Sequence, residues 1–574
     1  MIRSRVLISG DLMSLHRGAE ETKLAIEAEL SYYGLTDEVE VSYTGQIDRS
    51  DLLPAVVVYP EGVVYGPVTP EDGAFIVEEH LYKGRVVERL KAPVDILTSQ
   101  TARVIEQKGT TYAQKRVVLR RAGDIDPDSI EDYIINDGYF ALGKALSEMT
   151  PAEVLQEVKA SKLQGRGGAG FPTGLKWSFV VSQPEEPKYV VCNADESEPG
   201  TFKDRLILEG DPHAVLEGMA LAGYAVGASE GWIYIRGEYK MAKEKLQRAI
   251  RQAEEMNLLG DNIMETDFSF HIHVHAGAGA YICGEETALL ESMEGNRGVP
   301  RIRPPYPTVS GFRGQPTVVN NVETLANVPP IILNGASWFR SIGTENSPGT
   351  KVYTMLGDVN VTGLVETPMG TTLREIIEIY GGGMKDGKTF KCAQTGGSAG
   401  TIIPADLLDV PMDFASMGSH NAGLGSGALL VCDENTCVVD LAYVLVRFFK
   451  TESCGKCTPC RVGTAQMLEA LDRLRKGYAK QSDLERLEEI AEYAREASFC
   501  GLGQAAPVPI LSGLCHFREE FEAHICGECP AGVCPTAPKP ACETPVAEEK
   551  CAPVPWRPDT EYPLDDPSQI EEAR

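Results

Sequence analysis

The order of apolar and polar residues predicts a small α/β unit at the start of the chain. Continuous β-branched runs indicate buried strands, a strictly alternating run indicates a half-exposed strand, and apolar residues three or four apart indicate helices. By these patterns the predicted strands are Arg5–Ile8, Glu38–Tyr43 and Ala55–Tyr59, and the predicted helices are Glu20–Tyr33 and Thr69 to about Lys83. The order strand–helix–strand–strand–helix predicts one domain over residues 1–115.

The pattern changes four times after this unit. Strands alternate with helices in a glycine-rich stretch up to residue 341, which is typical of an α/β layer with crossover helices. Residues 342–432 mix a strand at Lys351–Leu356 with a helix at Thr371–Tyr380 and glycine loops, which predicts a compact α+β module. Residues 433–525 carry three amphipathic helices, predicted at Val438–Lys450, Thr464–Tyr478 and Ser482–Ala497. Residues 526–574 are rich in proline and acidic residues, which predicts an extended or disordered tail over residues 535–574.

Composition narrows the function. A chain of 574 residues is too long for one domain, and its 43% hydrophobic and 24% charged residues are those of a globular protein. The net charge of 54 − 83 = −29 argues against a protein that follows nucleic-acid phosphates. There is no apolar run of the roughly 20 residues that a membrane helix needs, and no signal-peptide pattern at Met1. We therefore expect a cytoplasmic protein without nucleic-acid partners or membrane insertion.

The 15 cysteines are unevenly placed. None precedes Cys192, and most lie in the last quarter of the chain. A secreted disulfide scaffold would spread cysteines through a much shorter chain, whereas clustered cysteines in a reducing compartment are more often metal ligands. The distribution therefore points to metal or cluster binding near the carboxyl end.

A glycine-rich loop, Gly165-Arg-Gly-Gly-Ala-Gly170, fits the spacing of the dinucleotide fingerprint but lacks the strand that should precede it. Pro151–Leu163 reads instead as a helix. Glycines let a backbone approach a flat or phosphorylated ligand, and Lys176 and Phe171 add a cation and a stacking face. A surface loop between two helices explains the spacing equally well.

Two strands end in dense polar sets, and ligands of open α/β sheets bind at such ends. Val190-Val-Cys leads into Asn193, Asp195, Glu196 and Glu198, and an acidic turn with a helix cap is the plain alternative. The strand His271-Ile-His-Val-His275 leads through a glycine turn to Tyr281, Gly284, Glu285 and Glu286. Its three histidines share one strand face, but they have no evident acidic or cysteine partner, so metal binding there is the less favoured interpretation.

Cys454-Gly-Lys-Cys457-Thr-Pro-Cys460, with Cys500 farther on, supplies four thiolates. A cubane iron–sulfur cluster needs four, one for each iron. Structural zinc is the competing interpretation, but it favours paired C-x-x-C units over a triple run. The helix predicted after Cys460 would bring its positive end close to a negatively charged cluster.

These stretches together resemble the flavin- and NADH-binding subunit shared by respiratory complex I, NAD-reducing or electron-bifurcating hydrogenases and NAD-dependent formate dehydrogenases. Gly165–Trp177, Asn193–Arg205, Tyr281–Pro307 and Glu452–Gly463 carry the resemblance. It implies an FMN site of Gly165, Arg166, Gly167, Gly168, Lys176, Asn193, Asp195, Glu196, Tyr281, Gly284, Glu285, Glu286, Asn320, Asn321 and Thr324. It implies an NADH side of Phe171, Phe179, Glu198, Glu286, Arg303 and Tyr306, with Glu198 and Glu286 at the reacting centre, and a 4Fe–4S cluster on Cys454, Cys457, Cys460 and Cys500.

The resemblance also implies a multi-domain α/β fold. The expected order is a thioredoxin-like domain (1–115), a Rossmann-like FMN- and NADH-binding domain (116–341), a small ubiquitin-like β-grasp domain (342–432), a helical bundle with the 4Fe–4S cluster (433–525) and a Cys/Pro-rich tail (526–574).

Two regions depart from the family pattern. Relatives among the soluble hydrogenase and formate dehydrogenase subunits commonly hold a 2Fe–2S cluster in the N-terminal domain, with cysteines near positions corresponding to Ser9–Ser14, Gln46 and Ser50, and this chain has no cysteine there. We therefore expect a structural or docking module. Relatives also append a two-cluster ferredoxin, and here only Cys526-Gly-Glu-Cys529-Pro-Ala-Gly-Val-Cys534 is present.

The expected reaction is hydride exchange between NAD(H) and FMN, followed by single-electron transfer to the 4Fe–4S cluster. The expected setting is the diaphorase subunit of a soluble complex, an electron-bifurcating hydrogenase or a formate dehydrogenase. Its partners would be a small thioredoxin-like 2Fe–2S subunit and a larger Fe–S, hydrogenase or dehydrogenase subunit. The alternatives are the NADH-input subunit of membrane-bound complex I and a cluster-carrying scaffold without flavin.

Cysteines outside the cluster predict one more site. Cys437, His524, Cys529 and Cys534 offer three thiolates and one imidazole, which suits tetrahedral zinc. The resemblance supports this ligand set as well. Cys526 is an alternative ligand, and free thiols are the alternative to a site.

Overall fold

The structure, a computed structural model, describes residues 2–45, 47, 50–92, 94–96, 102–107 and 110–536. Residues 537–574 of the predicted tail, with Cys542 and Cys551, lie outside the described residues, and so does Gln46.

The N-terminal domain contains a four-stranded sheet in the order β2-β1-β3-β4. The first two strands are parallel, and the others are antiparallel to their neighbours. Its elements are β1 (Ser4–Ser9), α1 (Leu12–His16), α2 (Ala19–Tyr32), β2 (Val39–Thr44), β3 (Val56–Tyr59), β4 (Val63–Tyr65) and α3 (Pro70–Ile76), with a π-helical continuation over Val77–Tyr82. All five predicted elements are confirmed, and the short helix α1 and the short strand β4 were missed.

A three-stranded antiparallel sheet follows, in the order β5-β6-β7. Its strands are β5 (Val94–Ile96), β6 (Ala102–Gln107) and β7 (Thr110–Lys115).

The next domain, called here the parallel-sheet domain, is built on four parallel strands in the order β10-β9-β8-β11. Its elements are α4 (Ile130–Ile135), α5 (Phe140–Glu148), α6 (Pro151–Ala160), α7 (Thr173–Val181), β8 (Tyr189–Ala194), α8 (Lys203–Gly210), α9 (Pro212–Val226), β9 (Glu230–Ile235), α10 (Lys240–Glu255), β10 (His271–Ala276), α11 (Glu286–Met293), α12 (Pro307–Ser310), β11 (Thr317–Asn321), α13 (Val322–Ala326), α14 (Val328–Asn334) and α15 (Ala336–Arg340). Apolar helix α9 lies almost entirely buried against the sheet, as the crossover pattern predicts.

The five-stranded domain has the strand order β13-β12-β16-β14-β15, with β12 and β16 parallel and the other pairs antiparallel. Its elements are β12 (Thr350–Gly357), β13 (Gly363–Pro368), α16 (Leu373–Glu375), β14 (Phe390–Thr395), β15 (Ile402–Pro404), α17 (Phe414–Ser419) and β16 (Ala428–Asp433). The helix predicted at Thr371–Tyr380 continues beyond α16 as a π-helical turn over Ile376–Tyr380.

The helical domain closes the described chain. Its helices are α18 (Val438–Glu452), α19 (Thr458–Arg475), α20 (Gln481–Ala497), α21 (Gly501–Ala505) and α22 (Val508–Ile525). The predicted helix start at Thr464 is wrong, because α19 begins at Thr458. Pro459 lies in the first turn, where its missing N–H breaks no helical hydrogen bond. Cys460 therefore lies inside the helix.

Among the described residues, no helix combines the length and the apolar character that crossing a bilayer requires.

Candidate functional site

The polar ends of neighbouring strands meet at one edge of the parallel sheet. Strands β8 and β11 pair in parallel with Asn193 opposite Asn321, so both side chains lie at the carboxyl edge. The loop after β10 reaches the same edge, since Asn193 Nδ2 donates to the carbonyl of Gly284 at 2.8 Å. Trp177 Nε1 donates to Asn320 Oδ1 at 2.8 Å and connects α7 to this edge. The predicted cofactor residues from four separate segments thus converge.

Glu286 stands at the start of α11 between two cations. Its carboxylate lies 3.0 Å from Lys176 Nζ and 3.6 Å from an Arg303 guanidinium nitrogen. Burial raises the pKa of Glu286, but the two cations and the Lys176 hydrogen bond outweigh burial and hold that pKa below its ordinary value. Glu286 is therefore a fixed anion in the cleft.

Two carboxylates after β8 have different surroundings. Asp195 accepts a 2.5 Å hydrogen bond from Ser197 Oγ, but its Oδ2 is buried with no partner. Glu196 is fully engaged, because it accepts from the backbone N–H groups of Asp204 and Arg205 at the start of α8. Burial raises both pKa values to about 7, and the charge of Asp204 adds to the effect on Glu196. Of these two carboxylates, Asp195 is therefore the one that has an oxygen available to accept a hydrogen bond from a ligand.

Glu198 connects the parallel-sheet domain to the five-stranded domain. The Ala399 N–H donates to Glu198 Oε1 at 2.7 Å, and Ser426 Oγ donates to Oε2 at 3.2 Å. Gly397 has φ +75°, and a Cβ there would lie 2.4 Å from Glu198 Cδ, so this approach requires glycine. Burial raises the pKa of Glu198 to about 7.

Arg166 is directed away from the cleft. Its guanidinium is fully buried and donates to the backbone carbonyls of Pro348 and Thr350 at 2.7 and 3.0 Å. Its backbone N–H donates to Thr324 Oγ1 at 2.8 Å, so the main chain of the glycine loop is fixed against α13. Only the backbone of Arg166 is positioned for the role in FMN binding that the resemblance implies.

A buried group of three charged side chains packs under the glycine loop Gly165–Gly170. Glu323 lies 2.8 Å from Lys203 Nζ and 3.4 Å from Lys351 Nζ. All three side chains are fully buried, and Lys351 also reaches the carbonyl of Ser426 at 3.0 Å. Burial lowers the pKa of Lys351 to about 8 against the opposing charge of Glu323. This group joins α8, α13 and β12 under the loop.

Aromatic rings supply the stacking faces. Phe171 and Phe179 lie with ring centroids 6.4 Å apart, and Arg303 lies over the Tyr306 ring at 5.9 Å. The Tyr281 ring packs edge-on against Phe448 of α18 at 4.9 Å. Phe171 and Phe179 thus lie near each other, and Tyr281 contacts the helical domain.

The polar groups of the cleft match those of an FMN molecule. Asp195 Oδ2 and Ser398 Oγ are buried acceptors without partners, which match the N–H and hydroxyl groups of a flavin. Lys176 provides a cation, and Gly167 and Gly168 allow close approach of the backbone. Gly168 has φ +132°, a conformation that favours glycine.

The four predicted cluster cysteines surround one cavity. Ser453 and Ile282 line it with them, so the loop that carries Tyr281 also reaches the cluster site. Cys457 and Cys500 are the N-cap residues of α19 and α21, and Cys460 lies in the first turn of α19. Helix N-termini favour anionic sulfur. Four free thiols around one cavity fit a cubane cluster.

Adjacent residues connect this cavity with the cleft. Glu452 accepts a 3.0 Å hydrogen bond from the backbone N–H of Tyr281. The next residue, Ser453, has its hydroxyl 3.2 Å from Cys460 Sγ. The end of α18 is thus bonded to both sites.

The predicted zinc ligands also come together. The ligand atoms of Cys437, His524, Cys529 and Cys534 all lie within 4.8 Å of one another. His524 Nδ1 lies 2.7 Å from the carbonyl of Glu520, which leaves Nε2 facing Cys437 Sγ at 3.5 Å. This group joins the start of α18 to the chain after α22.

The histidines of β10 do not converge. His273 and His275 pack against Trp232 and Tyr234 of β9, with ring centroids at 4.6 and 5.4 Å, and His271 lies 3.1 Å from Asp261. Each of the three rings therefore has a neighbour of its own, and Asp261 is an acidic partner that the sequence did not reveal.

Sequence reasoning missed the contribution of the five-stranded domain. The loop Gly396–Gly400 and Ser426 border the cleft, yet the glycines appeared only as breaks between short elements. Lys203, Glu323 and Lys351 were missed because isolated charges carry no spacing signal. The clustered glycines of the loop were the one available clue.

Comparison with family models matches three segments of the chain. Residues 158–330 match the Nuo51 FMN-binding domain, residues 352–402 an SLBB domain, and residues 440–524 the NADH-ubiquinone oxidoreductase-F iron-sulfur binding region. The parallel-sheet, five-stranded and helical domains each contain one of these segments. FMN and a 4Fe–4S cluster are accordingly the cofactors, and NADH is the substrate.

Curated relatives come from two kinds of complex. The chain is 51% identical over 426 residues to the NADP-reducing hydrogenase subunit HndC of Solidesulfovibrio fructosivorans, covering 74% of this chain and 86% of the relative. It is 49% identical to the F 2 subunit of NADH-quinone oxidoreductase from Rhizobium meliloti, covering 71% of this chain and 97% of the relative. A crystal structure of NAD+-reducing [NiFe]-hydrogenase in the H2-reduced state matches with 31% identity and a TM-score of 0.64, covering 91% of this chain and 84% of the other.

Proposed function

Because the chain belongs to the family of FMN- and iron–sulfur-containing NADH oxidoreductase subunits that occur in NADH-quinone oxidoreductases and NAD(P)-reducing hydrogenases, we propose that it is the diaphorase subunit of a soluble hydrogenase-type complex. One observation carries the choice. The Rhizobium meliloti quinone oxidoreductase relative is covered over 97% of its length, yet the match spans only 71% of this chain. The hydrogenase chain matches 91% of this chain. Most of what this chain has beyond its quinone oxidoreductase relative therefore has a counterpart in a hydrogenase.

The residues of the cleft do most of their work by orientation. FMN supplies the hydride chemistry and the cluster accepts single electrons. Lys176 and Arg303 fix Glu286 where the resemblance places the NADH side, and Asp195 Oδ2 offers a free acceptor to the flavin. Phe171 and Phe179 provide apolar faces that help exclude water. Orientation of this kind is a large part of catalysis in hydride transfer.

The assignment extends to partners and acceptor. We propose that a small thioredoxin-like 2Fe–2S subunit and a larger hydrogenase subunit complete the complex. A formate dehydrogenase is the second candidate for the whole complex. In either complex we propose that electrons are transferred by electron bifurcation. The N-terminal domain, which we propose to be thioredoxin-like, serves as a docking module because it has no cysteine.

A purified complex tests the proposal directly. The complex is isolated through a tag on this chain, and reduction of NAD+ is measured with hydrogen or with formate as the donor. Hydrogen-driven reduction supports the hydrogenase assignment. NADH oxidation by quinone, without reaction toward hydrogen or formate, would instead assign the chain to a complex-I-type enzyme. A purified chain without flavin absorption would favour the scaffold alternative.

We also propose that Cys437, His524, Cys529 and Cys534 bind one structural zinc ion. The mixed thiolate and imidazole set suits zinc, and the Nδ1 contact with the Glu520 carbonyl leaves Nε2 to the metal. Elemental analysis should find about one zinc per chain. Cys529→Ala should remove the zinc and retain the iron, whereas Cys392→Ala, a buried cysteine outside the group, should retain both. Zinc-free protein that remains fully active and assembled would contradict this site.

A further inference from the structure

The hydroxyl of Ser453 contacts a cysteine of the cluster set and has no role assigned so far. Its Oγ lies 3.2 Å from Cys460 Sγ. The backbone N–H of Gly455 donates to the same Oγ at 3.3 Å. Because this oxygen already accepts a hydrogen bond, its own hydrogen is available to the Cys460 sulfur.

The position of this hydroxyl is set by the backbone. Ser453 is the C-cap residue of α18 in extended conformation, with φ −60° and ψ 125°. The chain turns there into the Cys454–Cys460 segment, and Arg461 donates to the Gly455 carbonyl at 2.7 Å and holds that turn. Ser453 also lines the cavity of the four cysteines. The contact is therefore part of a fixed turn.

The main chain does not replace this contact. Cys500 is the N-cap residue of α21, but its thiol accepts no hydrogen bond from the first turn of that helix. Among the described residues, Ser453 is the one side chain with a hydrogen bond to a cysteine of the cluster set. A side-chain substitution can therefore remove this bond and leave the main chain around the four cysteines in place.

Reduction adds one electron to the cluster, and its charge becomes more negative. A hydrogen bond to a cluster sulfur stabilises the more negative state, so it raises the reduction potential. We propose that Ser453 is a positioning residue for electron transfer that sets the reduction potential of the 4Fe–4S cluster through its hydroxyl contact with Cys460. The inference depends on the proposed ligand set Cys454, Cys457, Cys460 and Cys500.

Glu452, the residue next to Ser453, connects the cluster site to the flavin cleft. Glu452 is bonded to the Tyr281 backbone at the flavin cleft, and Ser453 to the cluster cysteine. The cluster must be easy enough to reduce that it accepts electrons from the flavin. Loss of the Ser453 hydroxyl would make the cluster a weaker acceptor and leave the cleft unchanged.

The test is a redox titration of the purified holoprotein, monitored by the low-temperature electron paramagnetic resonance signal of the reduced cluster. Ser453→Ala should shift the one-electron equilibrium about tenfold toward the oxidised form, a fall of about 59 mV in midpoint potential. Ser453→Thr, which keeps the hydroxyl, should restore most of the wild-type potential. Thr451→Val is the matched control, because the exposed Thr451 hydroxyl bonds back to the Arg447 carbonyl of α18 and should leave the potential unchanged.

Iron content separates the possible failures. Wild-type protein with about four irons per chain, and an alanine variant with the same iron and an unchanged potential, would overturn the role of Ser453 alone. Loss of iron in Ser453→Ala but not in Ser453→Thr would assign the hydroxyl to cluster assembly and would also overturn the proposal. Wild-type protein without iron would refute the ligand set itself.

Discussion

The N-terminal domain and the helical domain differ at the positions where the family resemblance predicts cluster cysteines. Family resemblance places cluster cysteines in both, but in the N-terminal domain hydroxyl groups stand at or near these positions. Ser14 Oγ donates to Ser9 Oγ at 2.8 Å, and Ser9 Oγ accepts from the Ala55 backbone at 2.8 Å. Ser50 Oγ donates to the Thr362 carbonyl of the five-stranded domain at 2.8 Å. These polar groups are satisfied within the protein.

In the helical domain the cysteines leave a cavity. Cys454, Cys457, Cys460 and Cys500 surround it, and two of them cap helices whose N-termini favour anionic sulfur. Hydrogen bonds close the N-terminal positions, whereas the helical domain holds its four thiols around one cavity. The difference teaches that hydroxyl groups at such positions find partners within the protein, whereas the grouped thiols leave space for a cluster.

The largest expected effect is on the cluster itself. Cys457→Ser should abolish the low-temperature cluster signal, because a cubane requires one thiolate for each iron. Reduction of an artificial dye by NADH through FMN should remain measurable, since the cleft residues lie in another domain. Iron content that stays at about four per chain would show that the ligand set is wrong. Cys392→Ser, a buried cysteine of the five-stranded domain, is the control and should keep the cluster.

The second effect concerns NADH. Glu286→Gln removes the charge that Lys176 and Arg303 hold at 3.0 and 3.6 Å. We expect KM for NADH to rise about tenfold or more, because hydrogen bonds to charged groups contribute roughly 1.5–3 kcal/mol, while FMN is retained. Glu291→Gln, on the same helix and paired with Arg301 at 2.7 Å, should leave KM unchanged. Flavin loss with unchanged NADH affinity in the flavin-loaded remainder would contradict the role of Glu286.

The sequence contains local signals for some features of the site but not for others. The Cys454–Cys460 spacing and the polar strand ends after β8 and β10 are local signals, so the cluster and much of the cleft were predictable. The Gly396–Gly400 loop touches Glu198 through a contact between residues about 200 positions apart in the chain, a separation that no local pattern encodes. The direction of the Arg166 side chain was unpredictable for the same reason.

The third effect is on stability and depends on pH. Burial raises the pKa values of Asp195, Glu196 and Glu198 to about 7, above the values of about 4 expected in the unfolded chain. Between these limits the folded chain binds more protons, so the free energy of unfolding falls as pH rises through this range. The thermal midpoint of flavin-free protein should decline from pH 5 to pH 8, and Asp195→Asn should flatten the decline. A midpoint that rises with pH would contradict the direction of these shifts.

The smallest expected effect on cofactors comes from the N-terminal domain. Deletion of residues 1–115 should leave iron and flavin content unchanged, because this segment contains no cysteine. Its described contacts with the rest of the chain include an ion pair of Arg5 with Asp132, a Tyr59 hydroxyl that donates to Asp124, the Ser50 contact with Thr362, and a close approach of Gly45 to Gly210 of α8. None of these residues belongs to the predicted cofactor site. The truncated chain should therefore oxidise NADH with dye but co-purify less well with its partner subunits.

A second variant separates docking from folding. Arg5→Ala combined with Ser50→Ala loosens the domain without removing it, and co-purification should fall less than in the truncated chain. A drop in iron on truncation would show that the N-terminal domain supports the helical domain in spite of its missing cysteines. Unchanged assembly would show that the domain is not a docking module. Retained cofactors with weakened assembly would instead show that this domain, without a cluster of its own, acts in this subunit as a binding surface.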